Sequence, residues 1–141
     1  MTLYRACYTS RTILSDGETI DALATHIAQH AALHNSAIGL SGVLLYSPTH
    51  FVQVVEGERS LINRLLWKLG KDPRHEAMEL IEFAPVGRRL FGTTPMRLCR
   101  AEIGVAALLD EAADANETPA GGLSPDALID LAQQVIAAEP T

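Results

Sequence analysis

The sequence predicts an α+β fold, a ferredoxin-like βαββαβ sandwich with an extra fifth strand and two C-terminal helices covering the other sheet face. Three observations point there. Five short apolar runs are separated by turn residues, amphipathic stretches follow the first and third runs, and the tail is Ala/Leu-rich with no Lys or Arg. A chain of 141 residues has single-domain size and buries roughly two thirds of its unfolded surface, so it needs no disulfide or metal to fold.

Leu3 to Thr9 reads as the first strand. Ser15-Asp16-Gly17-Glu18 fits a capping box, with Ser at N-cap and Glu at N3, and Ile20, Leu23, Ala24, Ile27, Ala28 and Ala31 then recur at helical spacing to near Leu33. Gly42 to Tyr46 and Phe51 to Glu56, joined by Ser47-Pro48-Thr49-His50, make a hairpin. From Phe51 to Val55 the second of these runs is apolar on both alternating faces except at Gln53, which implies a central strand covered on both sides. Gly57 is expected to break that strand. Leu61, Leu65, Leu66 and Leu69 mark a second helix stopped by Gly70-Lys71-Asp72-Pro73, and Met78–Val86 and Met96–Ala101 are the last two strands.

The tail differs. Val105–Ala115 reads as a helix and Thr118–Gly122 as a linker; Ser124 then caps a final helix, Pro125 takes its first position and Leu123 staples onto Leu128. Leu128, Leu131, Val135 and Ile136 form its apolar face. Residues 1–101 are accordingly read as one domain and 102–141 as a helical extension. Both main helices share one sheet face, so the tail is expected on the other, against Val52 and Val54.

Charge follows the same division. The chain has 11 Lys+Arg and 17 Asp+Glu, net −6. Residues 1–101 hold all 11 basic and 9 acidic residues, a balance of +2, and residues 102–141 hold 8 acidic residues and no Lys or Arg, a balance of −8. Without a cluster of cations a nucleic-acid surface is not expected. Cys7 and Cys99 are too few and too distant for a redox or zinc motif and read as reduced thiols. With no apolar leader and no run of about 20 apolar residues, the expectation is a soluble cytoplasmic protein with no membrane contact.

The most informative polar residue is Gln53, a carboxamide mid-strand where an unpaired amide costs roughly 1–3 kcal/mol. A neighbouring side chain or water is its ordinary partner. In a βαββαβ sandwich the first and third strands are adjacent, so Tyr8 and Gln53 are expected to touch; the plain reading of Tyr8 is a core aromatic. Asn35, just past the expected helix end and preceded by His34, reads either as a left-handed C-cap or as a donor and acceptor pair suited to a cyclic imide edge. His75 reads as a helix-exit histidine bonded to backbone, and Trp67 as packing. His26, His30 and His34 have the spacing of a metal site, with His26 and His30 more simply solvated.

Cys7-Tyr8-Thr9-Ser10, His34-Asn35, Leu40-Ser41-Gly42-Val43-Leu44-Leu45-Tyr46, Phe51 to Gly57, Asp72-Pro73-Arg74-His75, Arg88 to Phe91 and Met96 together resemble the BLUF family. These are blue-light sensors using flavin adenine dinucleotide (FAD), and the match runs in order from about Leu3 to Cys99. The resemblance implies that Tyr8 donates an electron and a proton, that Gln53 links Tyr8 to the flavin and rearranges, and that Met96 responds. It also implies that Asn35 holds the ring's imide edge beside His34, with Ile27 against the ring and Lys68 and Asp72 near the ribityl and phosphate part. Where the family often has Trp, two residues before the methionine, this chain has Thr94. Output is expected through a downstream signalling protein or self-association into a homo-oligomer, not through catalysis. The rival readings are a small flavin-dependent enzyme or hydrolase, for which no Ser-His or Cys-His arrangement is evident, and a flavin-free interaction module.

Overall fold

In the computed structural model, residues 2–92, 94–100 and 124–138 are described. A five-stranded sheet in the order β4-β1-β3-β2-β5 is formed by β1 (Leu3–Thr12), β2 (Ser41–Tyr46), β3 (His50–Glu58), β4 (His75–Pro85) and β5 (Arg97–Arg100). All neighbours are antiparallel except β2 and β5. The α+β sandwich with a fifth strand is therefore the fold, and β1 and β3 lie side by side within it, as the sequence predicts. Gly42 permits the close approach of β2 to β3: a Cβ there would lie 2.2 Å from the Val54 carbonyl oxygen.

Helices α1 (Ile20–Ile38) and α2 (Arg59–Leu69) pack on one face, the front. Ile20, Leu23, Ala24, Ala28 and Ile62 there meet Ala6, Leu44, Phe51 and Val55 of the sheet. The back face carries Cys7, Val43, Leu45, Val52, Val54 and Cys99, against Leu128, Ile129 and Ala132 of α3 (Pro125–Ala138). Each fully buried Leu or Val in such a layer contributes about 1.5–3 kcal/mol. Val52 and Val54 are thus covered by the C-terminal helix, and Ser124 accepts from the Ala127 amide as its cap. The expected helix at 105–115, the linker at 118–122, the Leu123 staple and the contacts of Val135 and Ile136 lie outside the described residues.

Several local expectations are corrected. The cap of α1 is Thr19, whose side chain accepts from the Ala22 amide; Ser15 and Glu18 bond each other in a separate turn one step earlier. The helix does not stop near Leu33 but runs to Ile38, ending on Gly39 in the left-handed conformation (φ 74°). Asn35 is therefore inside the last turn rather than a cap. Gly57 does not break β3, which continues to Glu58. Trp67 is not core packing: it is 69% exposed, in a surface groove with Leu80 and Phe83.

Candidate functional site

Tyr8 on β1 and Gln53 on β3 stand directly opposite in register, and both are fully enclosed. The Tyr8 hydroxyl donates to Gln53 Oε1, and Gln53 Nε2 donates to Met96 Sδ at 3.8 Å. Burial pushes the Tyr8 phenol well above its ordinary pKa, Asp72 adds to the rise and Arg74 opposes it. At neutral pH the phenol is therefore a proton donor and the amide oxygen its acceptor. Next to Tyr8 the β1–β4 register shifts between Cys7 and Tyr8, leaving Ile81 without a partner on β1. Such a bulge increases local twist and re-aims the side chain beside it.

Beside this chain of hydrogen bonds is a cavity of about 250 Å³ between α1 and α2. Ile27, His30, Ala31 and His34 line it from α1, Leu65, Lys68 and Leu69 from α2, Gln53 from the sheet, and Asp72 and Arg74 from the segment after α2. Asp72 and Arg74 form a forked pair, with Arg74 Nε 2.9 Å from Oδ1 and the Arg74 amide also 2.9 Å from it. The Arg74 guanidinium holds the Asp72 carboxyl below its usual range, and Asp72 raises Arg74 in turn. The Lys68 ammonium has no hydrogen bond or ion pair among the described residues, so its charge is available to an anion in the cavity.

Asn35 is fully buried; its Nδ2 donates to the Pro95 carbonyl at 2.9 Å, and its own Oδ1 has no partner among the described residues. An orphaned buried acceptor costs about 1–3 kcal/mol, which a ligand donor next to the cavity would offset. His75 Nε2 donates to the Leu69 carbonyl, which fixes that proton, while Nδ1 lies 2.7 Å from Ser10 Oγ and the ring meets Tyr8 edge-on at 6.2 Å. His75 is thus backbone-bonded, as expected, and also braces the strand beside Tyr8. An apolar slot, an orphaned acceptor, an amide switchable between donor and acceptor, and one unpaired cation fit a flavin with its phosphate-bearing side chain.

The family described as "Sensors of blue-light using FAD" matches residues 3–97. The chain belongs to the BLUF family. Its photoreceptor role and its flavin, FAD, follow from that membership. It is 39% identical over 71 residues to the photoactivated adenylate cyclase subunit alpha of Euglena gracilis, a match covering 50% of this chain and 7% of that protein. The chain thus spans a small fraction of the length of the curated relatives it matches. The BLUF protein BlrB in its dark state is 28% identical, with a TM-score of 0.72 over 97% of this chain and 96% of that one. BlsA in its photo-activated state, 24% identical, shares the fold with a TM-score of 0.78 over 99% of this chain and 98% of that one.

Tyr8, Gln53 and Met96 form one connected group; Ile27, His34, Lys68 and Asp72 line the cavity beside it, and Asn35 is joined to the segment just before Met96. Leu61 of α2 packs in the front core. His30 and Arg74 line the cavity without having been singled out for it. His30 was legible as a slot residue, since it lies three positions after Ile27 on the same helical face. Arg74 was not, because its position depends on a loop. Thr94, at the position often Trp in the family, is exposed, and its carbonyl accepts from the Gly42 amide. Among the described residues no group of three His, Cys, Asp or Glu could hold a metal, and no helix is long and apolar enough to cross a membrane.

Proposed function

We propose that this BLUF chain senses blue light through Tyr8, Gln53 and Met96, holds FAD with Ile27, His34, Asn35, Lys68 and Asp72, and signals by contact rather than by catalysis. The observation that carries the reading is the buried chain from the Tyr8 hydroxyl through the Gln53 amide to the Met96 sulfur. When bound, the flavin absorbs blue light and supplies a light-induced oxidising centre. Tyr8 serves as the electron and proton donor, with its proton already directed at Gln53 Oε1. Gln53 carries a donor and an acceptor on one rotatable group, so turning or tautomerising it changes the bonding without moving β3. Turning it withdraws the N–H from Met96, a weak acceptor with little to hold it, and tautomerising it leaves the nitrogen a single N–H.

Met96 immediately precedes β5, whose Leu98 packs in the front core and Cys99 in the back core against α3. A change at Met96 thus has a short route, along the chain to Cys99 and from there by packing to the helix on the far face, biasing a two-state element. Residues 1–101 would be the sensing unit and 102–141 the output extension. The output partner would be a cytoplasmic signalling protein, or a second copy of the chain, with a basic surface that meets the −8 segment in a salt-sensitive way. Affinity indifferent to ionic strength would count against that partner.

The absorption spectrum of the purified protein, dark and after blue light, tests the core of the reading. Yellow protein whose flavin bands shift to the red and recover in the dark is expected. Colourless protein that refuses added flavin, or flavin bands that do not move, would overturn it.

A further inference from the structure

The connection from β4 to β5 must cross the whole sheet, because these strands lie at opposite edges. It does so over the back face, where Leu90 and Phe91 pack against the same cluster that α3 covers. Midway it meets Glu56, a carboxylate with no solvent exposure on the central strand β3. Glu56 Oε2 accepts from the Leu90 amide at 2.8 Å and from Arg5 Nε at 2.9 Å, and Oε1 accepts from the Phe91 amide at 3.1 Å. Arg5 also donates to the Arg88 carbonyl at 3.1 Å, and Arg89 ties the crossing to Ser41 Oγ, the Glu56 carbonyl and the Gly39 carbonyl.

Beyond this clamp comes Gly92 in the left-handed conformation (φ 61°). The crossing is then gripped again, through the Thr94 carbonyl by Gly42, the Pro95 carbonyl by Asn35 and the Met96 sulfur by Gln53. The two grips differ in strength. Three charge-assisted bonds hold the Glu56 end, whereas two neutral bonds, to the Thr94 carbonyl at 3.1 Å and the Pro95 carbonyl at 2.9 Å, and a thioether contact at 3.8 Å hold the Met96 end. The first is the stronger anchor.

We infer that Glu56 is a positioning residue: by pinning the Leu90 and Phe91 amides to β3 it sets where Met96 stands against Gln53. The inference deepens the proposed switch, since a displacement at Met96 measured from a fixed anchor passes into β5 instead of being absorbed by the long crossing.

Glu56→Gln in the full chain tests it. The carboxamide keeps the size but turns one acceptor into a donor, and all three groups facing Glu56 are donors, so at least one bond must break. In the dark, the Leu90 and Phe91 amides should exchange about tenfold or more faster and the Met96 methyl resonance should move. The conservative variant Glu56→Asp guards against misfolding, because it keeps the buried charge facing Arg5 and shortens the reach to the Leu90 and Phe91 amides by one methylene. It too should displace the Met96 resonance. Unchanged Met96 resonances in both variants would overturn the inference. The readout needs no light, so a wild type that fails to show the red shift sinks the proposed switch while the positioning result stands on its own. Where the shift is present, both variants should retain it and lose half or more of the light-driven change in exchange at β5 and α3.

Discussion

Gln53 and Val54 are neighbours on one strand and face opposite environments. On the front, Gln53 sits with Tyr8, Ser10 and Met96 beside a cavity; on the back, Val54 sits among Cys7, Val43 and Val52 under α3. The front leaves room and polar capacity unused, as at Asn35 Oδ1, whereas the back is filled by side chains. On the proposed reading one sheet separates two tasks: the front would hold the flavin and change hydrogen bonds, and the back provides cohesion and a surface for the C-terminal helix. Even the thiol follows suit, since burial, aided by the Glu82 charge, pushes Cys7 up to about 12 and leaves it unreactive at neutral pH.

If that separation is real, front substitutions remove the light response with little effect on folding. Tyr8→Phe and Gln53→Ala should each keep flavin bound and abolish the red shift, read by difference spectroscopy after illumination. A normal photocycle in either variant removes that residue from the switch. The reverse is expected on the back. Leu128→Ala, which empties a fully buried position on α3, should lower stability by about 2–5 kcal/mol in urea unfolding, or release the helix, while the red shift persists. Loss of the shift there would mean the faces are not independent.

The sequence signals were uneven for a physical reason. Alternation around Gln53 showed a strand covered twice, because burial on both faces suppresses polar residues at every position but one. Helical spacing from Ile20 to Ala31 revealed α1 but not its end: Asn35 is polar and buried, so the apolar stripe fades before the helix does, and Gly39 was the true stop. The bulge at Ile81, the Asp72–Arg74 fork and the Glu56 clamp depend on contacts distant in sequence, and no local pattern records those. Trp67 misled because its size suggests a core residue, although large apolar side chains are not confined to interiors.

A smaller effect is expected at the mouth of the front cavity. The Asp72 carboxyl is held below its ordinary range, first by the hydrogen bond from Arg74. Its stabilising contribution is therefore complete above the unfolded carboxylate value of about 3.9 and fades as pH falls through the lower folded value. Asp72→Asn should lower stability at pH 7 by under about 1 kcal/mol, given partial exposure of the pair, and its deficit should vanish in acid. A deficit that persists undiminished at pH 2 would show that the fork is not its source.

The last effect, a gain in place of a loss, discriminates best, because among the described residues each face holds one orphaned polar atom. Asn35 Oδ1 is orphaned on α1, whose Ala31 and His34 line a cavity with ligand chemistry; Thr9 Oγ1 is orphaned on the sealed side, fully buried and opposite Val52. For Asn35 the cost of the missing bond would be offset by the flavin we propose it holds. For Thr9 nothing among the described residues offsets it, so the hydroxyl is a plain loss on folding. Thr9→Val keeps the shape and β-branching, removes the buried hydroxyl and should stabilise the fold by about 0.5–1.5 kcal/mol. The urea midpoint should rise at constant slope, and the light-induced shift should be unchanged. A lower midpoint would mean that the Thr9 hydroxyl is bonded in solution and that the back face is polar where it is described as sealed.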